Sequence, residues 1–318
     1  MHQSDCNLMM LKRFVQVDTL ISVVEKTRMQ RRRTIFRMGT AYLLLSMGKA
    51  GAAEYDESMT LLSAPLELAG NWGHMSPDAV ARVAERIRHV CLDGIRLVSE
   101  RQPTRLRVDE HTSGLPSIWL HSDNDTTAWI IVYIGERSWS QFAYQFGHEL
   151  GHVMANSWQQ HAKPMSPCQW LEEALVEAFS LRGLGLLAKS WKREPLFVND
   201  GKFSDVIAAY REKIIDEYTK LAGEQGGLQN FASWFVTYQR ELEDNAGLGS
   251  FAQAASLIFL LEYERHPDCI EALGALNRWP GRSSVPLGDY LKLWEASCME
   301  LQASLVLPTR LRELLQIG

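Results

Sequence analysis

His148 and His152 stand four residues apart in the run His148-Glu149-Leu150-Gly151-His152. On a helix, that spacing puts both imidazoles on one face, one turn apart. Two imidazoles so placed can share one Zn²⁺, each at about 2.0–2.1 Å. Glu149 sits beside the first and can face a water on that ion without ligating it. Zinc lowers the pKa of such a water to about 7, and a carboxylate in reach can then take its proton. These residue types at this spacing therefore point to hydrolysis by an activated water, with Glu149 as general base.

A zinc ion of this kind takes a third protein ligand and keeps one position open. The next predicted helix carries Trp170-Leu171-Glu172-Glu173-Ala174-Leu175-Val176-Glu177. Here the chain resembles the gluzincin metallopeptidases, the thermolysin-like and aminopeptidase-like group. In that group a second helix supplies a glutamate about twenty residues after the second histidine, often as Glu, Ala, two residues, then an acid. Glu173, Ala174 and Glu177 match this pattern, and Glu173 lies 21 residues beyond His152. The resemblance implies Glu173 as third metal ligand. It also implies Glu177 as the acid that accepts a hydrogen bond from a ligating imidazole and fixes its tautomer. Glu172 competes with Glu173; the Trp-Leu-x-Glu form of the aminopeptidase-like motif favours Glu173, which leaves Glu172 solvated or behind the ligands.

Metzincins differ, with glycine three and histidine six residues after the second motif histidine. Those positions hold Ala155 and Trp158, and His161 falls off the spacing as a surface loop residue. No Gly-x-Met-Glu-Asn segment, the amine-gripping feature of gluzincin aminopeptidases, occurs between residues 100 and 147. The expectation is a zinc endopeptidase or specialised peptidase with one zinc ion and a peptide or protein substrate. Two alternatives stand beside it: a catalytically inactive zinc scaffold that binds or regulates, and a zinc hydrolase of a non-peptide amide or ester. Peptide hydrolysis also calls for a donor to the developing oxyanion. Tyr210, Tyr218, Tyr238, Tyr263 and His266 are downstream candidates, with Tyr238 and Tyr263 foremost.

The elements that must position these groups are legible from periodicity. Ser76-Pro77 starts a helix, with Val80, Val83, Ile87, Val90, Ile95 and Val98 recurring at helical spacing to about residue 99. Residues 54–75 read as an irregular lead-in. Arg105–Val108, Ser117–His121 and Thr127–Ile134 are β-branched or aromatic with turn-rich gaps, which predicts a small antiparallel sheet. Helices are predicted over 139–157, 169–188, 203–222, 228–243, 250–265, 268–277, 287–303 and 309–316. Phe142, Phe146, Val153 and Met154 would dress the first of these as core. The fold class is α+β: a small sheet packed on the zinc-binding helices, followed by a C-terminal helical bundle. The resemblance covers about residues 105–185 and implies a sheet edge above the metal that holds an extended peptide by backbone pairing.

Composition sets the outer limits. The 318 residues are 46% hydrophobic and 22% charged, which excludes disordered and fibrous classes. The net charge of −5 argues against a nucleic-acid binder, and no apolar run reaches the roughly 17–25 residues of a membrane span. Charge is uneven: residues 1–53 hold nine basic and three acidic residues, the remainder 24 and 35. Arg31-Arg32-Arg33-Thr34-Ile35-Phe36-Arg37 resembles a twin-arginine export signal. It is followed by an apolar stretch from Met38 to Gly48 and by Ala50-Gly51-Ala52-Ala53 as a cleavage region. The segment implies an exported, periplasmic protein; a cytoplasmic protein with a charged N-terminal helix is the alternative. Cys91, Cys168, Cys269 and Cys298 would remain after cleavage, and they allow two disulfides in any of three pairings. Three regions result: a targeting segment 1–53, a zinc-binding region 54–190 and a helical region 191–318.

Overall fold

The computed structural model describes residues 61–317, apart from 74, 112, 121–125, 135–137, 163, 246 and 280. The export reading of residues 28–53 lies outside these. The described residues all fall in one compact unit, Asp56–Gly318. The architecture is α+β, a four-stranded mixed sheet with a helical C-terminal region.

The sheet order is β1(Leu66–Gly70), β2(Arg105–Glu110), β4(Thr127–Val132), β3(Ser117–Ile118). β1 runs parallel to β2, and β2 parallel to β4; only β3 is antiparallel, pairing Ile118 with Ile130. The expected antiparallel sheet is thus corrected to a mixed one. Two features cause this: β3 takes the outer edge beyond β4, so the chain reverses between β2 and β4 and leaves them parallel, and β1 lies inside the stretch read as an irregular lead-in. With a strand ahead of helix α1(Pro77–Leu92), that helix becomes a crossover, and strands joined by a crossover pair in parallel. Leu106, Val108, Ala128, Ile130 and Val132 share one face of the sheet and are wholly buried.

α1 stops at Leu92 rather than near residue 99. Asp93 is extended and Gly94 takes φ +72°, a left-handed conformation that ends the helix. Val98 and Ser99 are still buried, at 4% and 5% exposure, so the apolar signal there belonged to a packed extended segment.

α2(Trp139–Met154) and α3(Gln169–Arg193) follow, then α4(Phe203–Glu224), α5(Phe231–Asp244), α6(Ser250–Arg265), α7(Leu287–Glu300) and α8(Val306–Leu315). The predicted helix at 268–277 is a 3-10 stretch, Pro267–Ala275. α2 contacts β3, β4, α1 and α3; α3 runs through the middle and contacts α1, α2, α4 and α6. That central place explains why α3 is buried on every side rather than along one stripe. Phe142, Phe146, Val153 and Met154 are core, as expected. Among the described residues no helix is long and apolar enough to cross a membrane.

The two disulfides do not form. Cys91, Cys168, Cys269 and Cys298 are all free and buried. Two of them are engaged elsewhere: the Cys91 sulfur abuts Gly183, and the Cys168 thiol donates to the Val285 carbonyl at 3.2 Å. Burial pushes all four thiols up to about 12, which leaves them unreactive as nucleophiles.

Candidate metal centre

The site depends on α2 and α3 approaching closely. Gly147 and Gly151 lie one turn apart on the α2 face turned to α3. A Cβ at Gly151 would sit 2.8 Å from the Val176 Cβ, and one at Gly147 would sit 3.3 Å from the Ser180 hydroxyl. The motif glycine is therefore a packing requirement. Gly151→Ala is expected to force the helices apart, lower stability by about 1–3 kcal/mol and weaken metal uptake. Thermal unfolding together with metal titration checks this, and unchanged values in both would contradict it.

The approach brings His148, His152 and Glu173 together; one donor atom from each lies within 4.8 Å of the others. Glu173 Oε2 is 3.5 Å from His148 Nε2 and 3.6 Å from His152 Nε2. These separations are longer than hydrogen bonds. They match the roughly 3.4 Å edge of a tetrahedron whose corners lie about 2.1 Å from a central ion. The second carboxylate oxygen of Glu173 accepts from Gln169 Nε2 at 3.4 Å. The three residues, all buried, are placed to hold one metal ion.

The other ring nitrogens face away from that point. His148 Nδ1 lies 2.8 Å from Glu177 Oε2, and His152 Nδ1 lies 2.7 Å from Glu172 Oε1. A carboxylate only accepts, so each Nδ1 donates and each Nε2 lone pair is left for a metal. Glu177 thus occupies the position the resemblance implied. Glu172 is wholly buried behind His152, not solvated.

Both outer carboxylates have supports that sequence reasoning missed. Tyr144 and Tyr218 donate to Glu177 Oε1 at 2.9 and 3.0 Å. Asn277 Nδ2 donates to Glu172 Oε2 at 2.6 Å and to Ser157 Oγ at 3.1 Å, and its carbonyl oxygen accepts from Tyr290 at 2.7 Å. Tyr144 precedes His148 by four residues, so the spacing that linked the histidines was also a signal for it. Asn277 and Tyr290 carry no local signal. Asn277→Asp would set a carboxylate against Glu172. It is expected to weaken metal affinity about 10–100-fold, with Tyr290→Phe causing a smaller loss; a chelator competition measures both.

The cluster is buried and rich in acids. Glu149, Glu172, Glu173 and Glu177 are 4%, 0%, 8% and 0% exposed, around two imidazoles. Buried carboxylates need a positive partner. Burial alone pushes the His148 imidazolium down, but Glu173 and Glu177 outweigh it and raise its pKa to about 9. Burial also disfavours charged His152, and Glu173 with Glu172 again outweigh it, raising the pKa well above the ordinary value. Burial pushes Glu173 up, and the two histidines more than reverse this, holding it well below the usual carboxylate range. Burial raises the Glu149 carboxyl, and His148 and His152 only partly offset it.

These shifts describe a metal-free cluster that stores protons where a metal would sit. Metal uptake at neutral pH must displace them, so affinity should fall as pH falls. As pH rises through about 9, His148 sheds its proton unaided and the release per ion drops. Calorimetry in two buffers of different ionisation enthalpy measures this release. A release that is flat from pH 6 to 10 would count against the histidine assignment.

The foremost oxyanion candidates are not brought to this cluster. The Tyr263 ring is wholly buried, its hydroxyl without a hydrogen-bond partner and nearest in charge to Cys269 and Arg182. Tyr238 stacks on Phe251 with centroids 4.7 Å apart and leans on Trp234. Tyr218 is at the site but bound to Glu177, Tyr210 packs edge-on to Tyr144, and His266 follows the end of α6. His161 is exposed in a short 3-10 turn. Comparison of the chain with models of known families, with curated proteins and with solved structures gives no match.

Proposed function

We propose that the protein is a zinc-dependent peptidase, of endopeptidase or otherwise specialised type. The observation that carries this reading is the trio of donor atoms His148 Nε2, His152 Nε2 and Glu173 Oε2, with tetrahedral-edge separations and a non-ligating Glu149 beside them. Three protein ligands leave a position open, as catalytic rather than structural zinc sites do.

A zinc ion held there supplies Lewis acidity, polarising a carbonyl and making water more acidic. Glu149 takes the proton of the attacking water and hands it to the departing amine. Its raised proton affinity suits both halves of that task. Glu177 and Glu172 hold the two imidazoles in one tautomer and one orientation throughout.

The sheet edge supports a peptide as substrate. β3 is the outer strand beside β4 and contacts α2. Trp119 N–H donates to the Trp129 carbonyl at 2.8 Å, so the 119–129 pair is a hydrogen-bonded one and the 118–130 pair is not. The N–H and C=O of Ile118 therefore point to the open edge, where an extended chain can pair with them. Pro116, one step before on the same side, has only a carbonyl to offer.

Cleavage of a mixed peptide library, with and without chelator, tests the assignment. The expected result is cleavage that chelator stops and added zinc restores. Chelator-sensitive hydrolysis of small amides or esters without peptide cleavage would transfer the reading to a non-peptide hydrolase. Zinc retention with no hydrolysis at all would leave a binding scaffold.

A further inference from the structure

A cavity of about 450 Å³ lies between α2, α4 and α6, lined by Tyr144, Tyr210, Ile214, Tyr218, Leu221 and Gln253, with Glu217, Lys220 and Glu224 also at its wall. We propose that this cavity binds a small organic cation, an alkylammonium group held among the rings of Tyr144, Tyr210 and Tyr218. The proposal rests on the cavity and its charges, not on the peptidase reading.

Size and lining favour an organic ligand. The volume falls within the roughly 300–1,000 Å³ of small-molecule sites. Ile214, Leu221 and three phenol rings offer apolar surface that a bare metal ion would not use. Tyr144 and Tyr210 meet edge to face with centroids 6.1 Å apart, making two walls of a corner. Aromatic faces attract cations within about 6 Å of the ring centroid.

Charge decides the sign. Glu217 and Glu224 lie 3.8 and 3.9 Å from Lys213 and Lys220, and all four side chains are well exposed, so their charges are paired and screened. Glu177 is different: it is wholly buried, and its Oε1 accepts from the hydroxyls of Tyr144 and Tyr218, two residues of the cavity wall. It belongs to a cluster of four buried carboxylates set against only two imidazoles, an excess of acidic groups. An anion in the cavity would be repelled and a cation drawn in. Burial and Glu177 also push the Tyr210 phenol up, so the wall itself stays neutral.

Choline and its uncharged carbon isostere 3,3-dimethyl-1-butanol make the test, by calorimetry on the full chain. The expected result is saturable one-to-one binding of choline, with isostere binding at least about tenfold weaker. Tyr210→Leu, which touches neither Glu177 nor the histidines through any hydrogen bond described above, should cost about tenfold in choline affinity. If neither probe binds, the proposal fails. Equal binding of the two shows a merely apolar cavity and also overturns it. The choline–isostere comparison on the unmodified protein stands even if Tyr210→Leu does not fold.

Discussion

Glu149→Gln is expected to lower kcat/KM for peptide hydrolysis by about 10²–10⁴-fold while zinc content stays unchanged. The substitution keeps shape and burial but removes the only carboxylate of the cluster that neither ligates nor orients an imidazole. His148 and His152 keep their hydrogen bonds to Glu177 and Glu172, and Glu173 keeps its place 3.5 and 3.6 Å from their Nε2 atoms. Binding therefore survives and proton transfer does not. Metal analysis on the same preparation as the kinetics is essential, because it separates a lost base from a lost ion. Near-normal turnover with zinc in place would mean that another group takes the proton, and the mechanism would fall while the metal site stood.

Glu173→Ala separates the two in the opposite sense. It removes one of three converging donors, so zinc affinity should drop by more than the 10–100-fold expected of outer partners such as Asn277. Hydrolysis should disappear with the metal. The metal-free variant has its own signature. Glu173 is the largest of the influences that raise His148, so the histidine pKa should fall back from about 9 toward the ordinary value. A histidine titration followed by NMR reads this without any metal or substrate. Wild-type zinc affinity in this variant would show that the donor trio is not the binding site, and the peptidase reading would go with it.

The inner part of the site was open to local reasoning because it is built on helix geometry. Four residues separate His148 from His152 and Glu173 from Glu177, and one turn of helix aligns each pair without help from the rest of the chain. The role of Glu172 was not open in the same way. Its neighbour Glu173 points to the histidine Nε2 atoms while Glu172 reaches His152 Nδ1 from behind, and adjacent helix positions differ by about 100°. Which of the two faces the histidine Nε2 atoms depends on how α3 is rolled against α2, a packing of whole helices in which Gly151 meets Val176 and Gly147 meets Ser180. The sheet shows the same limit. Each of β2 and β4 announced itself by composition, but their parallel pairing depends on β3 lying outside β4, and β1 was hidden in a stretch with few strand signals.

The chain's own order of residues thus specified the chemistry: two imidazoles and an acid on one helix, with further acids in register on the next. Tertiary structure decided what that chemistry stands on. Asn277 lies 105 residues beyond Glu172 and Tyr218 lies 41 beyond Glu177, and both complete hydrogen bonds to the carboxylates behind the two histidines, one from a turn and one from α4. Helical periodicity is a property of neighbours, fixed by backbone geometry alone. The partner of a buried carboxylate is fixed by whichever donor the packed core brings to it, and no window of sequence contains both.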